Sequence, residues 1–524
     1  MCKTKRIIAV LLAGLSVLVG LVMLGGGQPA YGQDNGYAEW LREQRQEYAA
    51  FHNKQDAAFA SFLAASWRDV KVRSARLSPL DDKPETVPSA AGRQEPTPAT
   101  DPADSNAPQQ PSGESAPRPP APDAPAAPSA SSSNAPPSVD TPSGVQESGA
   151  QEEAAAVSAL PQRSTATFFG TPVSVAYADA LTPGVDGSPR PAMVRRFWEA
   201  FAQGPVSPFI ERLSENRKRL SLDDWGYYRY LTTLSASLYP SGTAPSQNAR
   251  ALWVWAVLVK SGYAARVGYN DEEVFLMLPS DDRLYDVPQL RIDGQRYYLL
   301  GARGRKQLGS LRTYDGQHPE AKGTMQFDLS EVPVLASSSG SRTVSFFYDG
   351  TEHTIPLRYD RALLDYLEDY PKAELRILFQ SGMSAGAHQA LMEALRPLVE
   401  GRPEADAVNM LLRFVQTAFA YKVDAENFGE ERFLFPEETL QQPFSDCEDR
   451  SVLFSYLVRH VLGLKTVALG YPSHVATGVR LETTPPEGLS GTRIKVEGDT
   501  YVMADPTYIG ATIGMAMPFV VGET

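Results

Sequence analysis

A long stretch without one aromatic side chain sets the first limit on how this chain can fold. Between Trp67 and Phe168 there is no Phe, Tyr or Trp, and residues 96–142 are dominated by Pro, Ala and Ser. Such a segment has too little apolar surface to offset the entropy lost on ordering. Residues 79–163 therefore read as a disordered, partly polyproline linker. The 524 residues would allow about three domains by length, but the folded parts must lie on either side of this spacer.

Ahead of the spacer, Lys3, Lys5 and Arg6 precede an apolar run over 7–24, followed by small residues and Ala30-Tyr31-Gly32. Residues 1–32 read as a signal peptide or, because about 18 apolar residues can just cross a bilayer, as a membrane anchor through 7–24. Either way the chain is expected to be exported, to the periplasm or beyond. Residues 33–78 hold a long helix, expected over 37–70, with Tyr37, Leu41, Tyr48, Phe51, Phe59 and Phe62 close to a seven-residue seam. The seam fits a self-associating coiled coil, a helix docked on a partner, or a solvated amphipathic helix. The net charge of −13 offers no basic footprint, so nucleic acid is not an expected partner.

The remainder reads as an internal duplication. Thr167-Phe168-Phe169-Gly170-Thr171 and Ser345-Phe346-Phe347-Tyr348-Asp349-Gly350-Thr351 each lie in an alternating stretch expected to form a hairpin. Helical spacing follows over 222–238 in one copy and 405–421 in the other. A second apolar helix ends at Leu258-Val259-Lys260 or Leu457-Val458-Arg459, and leads to Gly268-Tyr269 or Gly470-Tyr471. Alternating runs at 274–278 and 296–300 match those at 475–481 and 500–504. Helices followed by an antiparallel sheet, twice, make an α+β fold, with units expected over 164–318 and 319–524.

Chemistry is confined to the second copy. The chain has two cysteines, and Cys2 precedes the export segment, so removal of that segment leaves Cys447 as the one thiol of the mature protein. An unpaired thiol in an exported chain implies an intermolecular bridge or a reactive group. Ser445-Asp446-Cys447-Glu448 has the form of a capping box with Ser445 as N-cap, which puts Cys447 in the first turn of a helix, where unpaired N–H groups favour a thiolate. Asp446, Glu448 and Asp449 oppose that charge, so a cationic partner is needed. His474, at the start of the next strand but one, suits the role. His460 lies 13 residues from Cys447, about 20 Å along the helix at 1.5 Å per residue, and reads as a helix-end residue. Asp505 follows the final strand, either as the group that orients the histidine or as a turn residue before Pro506.

Taken in order, these residues resemble the transglutaminase-like superfamily, of papain-like thiol fold. The resemblance runs from Ala405 to Tyr421, through Asp446-Cys447-Glu448-Asp449, Gly463-Leu464-Lys465, Gly470-Tyr471 and His474, to Asp505-Pro506-Thr507, about a quarter of the chain. It implies two tandem transglutaminase-like α+β units, each preceded by a small β element. It also implies that Cys447 attacks an amide carbonyl, His474 moves the proton and Asp505 holds the imidazole. Ser445 stands where the family often has glycine, and no aromatic follows His474, whose neighbours are Val475-Ala476-Thr477. An oxyanion donor is open between the Cys447 backbone N–H and the side chain of Gln441 or Gln442.

In the first copy, Asn248 aligns with the cysteine, Glu272 with the histidine, and the third position falls near Gly301. That copy is expected to be catalytically dead, and either to bind substrate or to cover an apolar face of its twin. His318, His353 and His388 lack metal-ligand spacing, and no phosphate loop or dinucleotide fingerprint occurs, so no cofactor is expected. The implied activity is cysteine-dependent cleavage or transfer of amides in protein or cell-wall peptides. The alternative is a non-catalytic envelope scaffold with a relic triad.

Overall fold

The computed structural model describes residues 35–65, 67–74, 159–305, 308–471, 474–483 and 491–517. The export segment and nearly all of the expected linker lie outside the described residues. No helix among the described residues is long and apolar enough to cross a membrane. The chain divides into two units, Met1–Ala57 and Ala58–Thr524. Helix α1 (Asn35–Ala65) supplies the described part of the first unit and, through its last turns, enters the second.

Trp40 and Phe51 are exposed on α1, whereas Phe59 and Leu63 are buried in the core of the second unit. The later seam positions are thus used within the molecule. The helix stops before the expected residue 70, because Trp67 Nε1 donates to the Leu63 carbonyl at 2.7 Å, satisfying an orphaned helix-end acceptor. Residues Trp67–Lys71 instead form strand β1, which pairs antiparallel with β8 (Ser310–Tyr314).

The element order of the first half recurs in the second. Hairpin β2 (Gln162–Phe168)–β3 (Thr171–Tyr177) turns through Phe169-Gly170, and hairpin β9 (Ser339–Tyr348)–β10 (Thr351–Asp360) through Asp349-Gly350. Both central residues of each turn have positive φ, the geometry that matches strand twist and calls for glycine at the second position. Helices α2 (Asp224–Leu238) and α3 (Ala244–Lys260) follow the first hairpin. After the second come α4 (Ala385–Val399), α5 (Glu404–Ala418) and α6 (Cys447–Leu457).

Each half then ends in an antiparallel sheet. In the first, β4 (Arg266–Tyr269), β5 (Val274–Pro279), β6 (Gln289–Ile292) and β7 (Gln295–Tyr298) run in the order β1-β8-β4-β5-β7-β6. In the second, β13 (Thr466–Tyr471), β14 (His474–Val479), β15 (Arg493–Val496) and β16 (Asp499–Ala504) run β13-β14-β16-β15. The orders β4-β5-β7-β6 and β13-β14-β16-β15 coincide. The fold is mixed α+β.

The halves are not separately cored. Ala321, Met325, Phe327 and Leu329, beyond the boundary expected at 318, join the first core together with Tyr366, Phe379, Phe435, Val452 and Val475. A polar lock crosses between the halves at Asp223, the N-cap of α2, which accepts from Gly226 N, Tyr366 Oη and Tyr370 Oη at 2.8, 2.9 and 2.7 Å. Burial pushes its carboxyl up to about 6. With its folded value above its unfolded one, this group stabilises fully below about pH 4 and loses that contribution as pH rises through 6. In urea denaturation across this window, Asp223→Asn is expected to remove about 3 kcal/mol of pH dependence; an unchanged slope would contradict the assignment.

Candidate active site

Every residue of α6 is buried, so the helix that opens with Cys447 runs through the protein interior rather than along its surface. Its N-cap is Asp446, one residue later than the expected Ser445. Asp449 Oδ2 accepts from Asp446 N at 3.2 Å, and its Oδ1 accepts from Leu434 N at 2.9 Å. Ser445 is unavailable as a cap because it lies in β12 (Phe444–Ser445), paired in parallel with β11 (Ala420–Tyr421). Cys447 is nevertheless in the first turn, fully buried. At the far end, helix geometry closes in a π turn, Val458–Leu462, stopped by Gly463 at φ 72°, a left-handed position suited to glycine.

Pairing of β14 with β16, with Thr477 opposite Ala504, carries His474 and Asp505 to the same end of the sheet. His474 Nε2 and Asp505 Oδ2 lie 2.8 Å apart, both at 0% exposure. Asp505 Oδ1 accepts from the backbone N–H groups of Thr507 and Tyr508 at 2.9 and 3.2 Å. The aspartate thus has both roles weighed from sequence: it shapes the turn with one oxygen and holds the histidine with the other. Gln416 on α5 fixes this turn, its amide donating to the carbonyls of Asp505, Tyr508 and Ala511. A neutral imidazole that donates from Nε2 keeps its basic lone pair on Nδ1.

Helix and strand are tied one turn beyond Cys447. Ser451 Oγ donates to the Val475 carbonyl at 3.0 Å, and Thr477 Oγ1 donates to the Ser451 carbonyl at 3.3 Å. The thiol of Cys447 donates to Glu448 Oε2 at 3.1 Å. His460 is in the π turn, in contact with His388 and Tyr456; burial and the Arg459 charge lower it to about 4. It takes no part in the His474–Asp505 pair.

Arg450 is the residue that sequence reasoning missed. Its side chain is buried and donates to the Phe419 carbonyl at 2.6 Å, to Ser445 Oγ at 3.2 Å and to the Pro506 carbonyl at 3.5 Å. Burial pushes it down to about 10, against the attraction of Tyr421, Asp446, Asp449 and Asp505, so it stays a cation at neutral pH. The requirement for a positive charge near three acids was legible; that the cation stood three residues after the cysteine was the available signal.

The acidic side of the site is larger than the sequence indicated. Asp424, Glu431 and Glu448 bring ligand oxygens within 4.8 Å of one another, as do Asp424, Asp446 and Asp449. An all-oxygen set of this kind suits a hard cation. Part of its capacity is taken by the backbone, since Arg432 N donates to Asp424 Oδ2 at 2.7 Å and Asp449 accepts two N–H groups. Gln441 and Gln442 precede β12, and Arg342 Nη1 fixes their carbonyls at 3.2 and 2.7 Å.

In the first half, strand register corrects one alignment. Tyr471 pairs with His474 and Tyr269 pairs with Val274, so Val274, not Glu272, occupies the histidine position. The β4–β5 turn is two residues longer and leaves Glu272 exposed in it. The same strand arithmetic puts Leu300, next to Gly301, at the aspartate position. Asn248, buried at the cysteine position, accepts from Val274 N at 2.8 Å and donates to the Glu272 carbonyl at 3.2 Å.

Removing the buried guanidinium leaves the Phe419 and Pro506 carbonyls and nearby acids without it. Arg450→Gln is expected to cost about 3–5 kcal/mol in chemical denaturation; a loss under about 1 kcal/mol, the level of an exposed ion pair, would contradict its placement. Comparison of the chain with protein-family models, with curated proteins and with solved structures finds no match.

Proposed function

We propose that this chain is an exported, cysteine-dependent enzyme of transglutaminase-like type that cleaves or transfers amides in protein or cell-wall peptides. The observation that carries this reading is the buried 2.8 Å pair of His474 and Asp505, whose histidine opens the strand bonded to the helix that Cys447 opens. An imidazole held by a carboxylate is the form needed to take a thiol proton and return it.

In this reading Cys447 Sγ passes its proton to His474 Nδ1 and attacks the amide carbonyl carbon. The oxyanion develops beside the first turn of α6, where the Cys447 N–H and the helix dipole favour it. His474 then gives the proton to the departing amine as the C–N bond breaks, leaving a thioester on Cys447. Water, or a second amine, attacks the thioester, with His474 again taking and returning a proton. Arg450 balances the acids that otherwise disfavour charge on sulfur. Export rests on residues 1–32, and reach toward a distant peptide on the linker.

One observation favours a second reading, a non-catalytic envelope scaffold. Cys447 donates to Glu448 among several buried carboxylates, an arrangement that holds the proton on sulfur. The pH profile of iodoacetamide alkylation separates the two. An activated Cys447 reacts below the ordinary thiol pKa of about 8.5, and His474→Ala or Asp505→Asn reduces its rate at pH 7 by about tenfold or more. Ordinary thiol behaviour in all three proteins would leave the scaffold reading.

A further inference from the structure

The first half keeps a cavity where its lost triad would stand. About 340 Å³ in volume, it is lined by Asn248 and Val274, at the cysteine and histidine positions, and by Gly301, beside the aspartate position. Val254, Leu276 and Leu299 add apolar wall.

Its polar groups are mostly committed. Glu273 and Arg305 pair with each other at 2.5 and 3.1 Å, and Arg250 bonds the carbonyls of Tyr239 and Ser241. Asn248 spends both ends of its amide on the β4–β5 turn. Tyr228 is different. It is 5% exposed and lines the cavity, and its hydroxyl has no hydrogen-bond partner among the described residues. A Cβ built on Gly301 would lie 3.7 Å from that oxygen. Burial pushes the phenol up to about 12, so it remains a donor at neutral pH. The oxygen opens on the cavity, so a ligand that displaces water from it must supply a hydrogen bond in its place.

We propose that this cavity is a peptide-binding subsite, taking a neutral amide-bearing side chain whose carbonyl accepts from Tyr228 Oη. Neutrality follows from the self-paired rim charges, and the amide from the single donor set among apolar walls. The subsite rests on the peptide-cleaving reading of Cys447 and deepens it: a unit without its nucleophile holds the peptide, and its twin performs the chemistry.

The test uses full-length Cys447→Ala protein and a diazirine dipeptide, N-acetylglutaminyl-photoleucine methylamide, with cross-links mapped by mass spectrometry. Labelling is expected in the segments 247–254 and 273–276. It should fall at least tenfold in Gly301→Leu, which fills the cavity at a backbone position without positive φ, and about threefold in Tyr228→Phe. Unlabelled N-acetylglutamine methylamide should compete better than its norleucine counterpart, which lacks the amide. Labelling confined to the half with residue 447, or equal labelling of all three proteins, would overturn the proposal. If Gly301→Leu does not fold, Tyr228→Phe, the loss of one oxygen, decides alone. Because the tested chain has no thiol at 447, the outcome is independent of catalysis. Labelling here beside an inert Cys447 would sink only the enzyme reading, and an activated Cys447 without labelling only the subsite.

Discussion

A guanidinium cut off from water has to find its hydrogen bonds and its counter-charges where it lies, and Arg450 finds them in three separate segments. It bonds the end of α5 at Phe419, the strand before the cysteine at Ser445, and the turn after β16 at Pro506. Those are the segments that set Cys447 and Asp505. The same charge faces Asp446, Asp449 and Asp505, so it both orders the backbone around the site and offsets the acids within it. Burying an arginine is expensive unless every part of it is used. Here the need to use it fixes the relation between helix start and sheet end.

The two halves show what the fold requires and what only chemistry requires. Both keep the opening hairpin with its X-Gly turn, the apolar helix before the sheet, and the same order of four strands. In the first half the cysteine position holds an amide, Asn248, one turn inside α3 and bonded to Val274, while its buried acid and arginine, Asp224 and Arg266, lie on other elements, α2 and β4. In the second half the equivalent region holds a thiol, an imidazole–carboxylate pair and a cluster of carboxylates. The thiol, the imidazole–carboxylate pair and the carboxylate cluster are not needed to form the topology, since the first half has the same strand order without them.

Much of this was legible from sequence because it rests on local patterns. Hairpins followed from Gly170 and Gly350, and the helices from apolar periodicity. The sequence placed Cys447, His474 and Asp505 at element ends, and the structure has them there, with His474 and Asp505 in contact. What sequence could not give depended on pairing between distant segments. Trp67 capping Leu63 ended α1 early, and strand pairing at Ser445 moved the N-cap to Asp446. The length of the β4–β5 turn exchanged Glu272 for Val274. Arg450 stayed hidden because a charged residue on a helix is read as solvated until the burial of every face is known. Asp424 and Glu431, separated from α6 by the helix Pro436–Gln441 and by β12, join the acidic cluster only through the fold.

The central claim is that Cys447 can exist as a thiolate in this surrounding. Ultraviolet thiolate absorbance, taken as the difference between the wild-type chain and Cys447→Ala across a pH titration, reads that ionisation without a substrate and without a reagent having to enter the site. The account predicts a signal already present at neutral pH, below the ordinary thiol value of about 8.5, and lost on His474→Ala. A signal that rises only above that value, unchanged by His474→Ala, would contradict it.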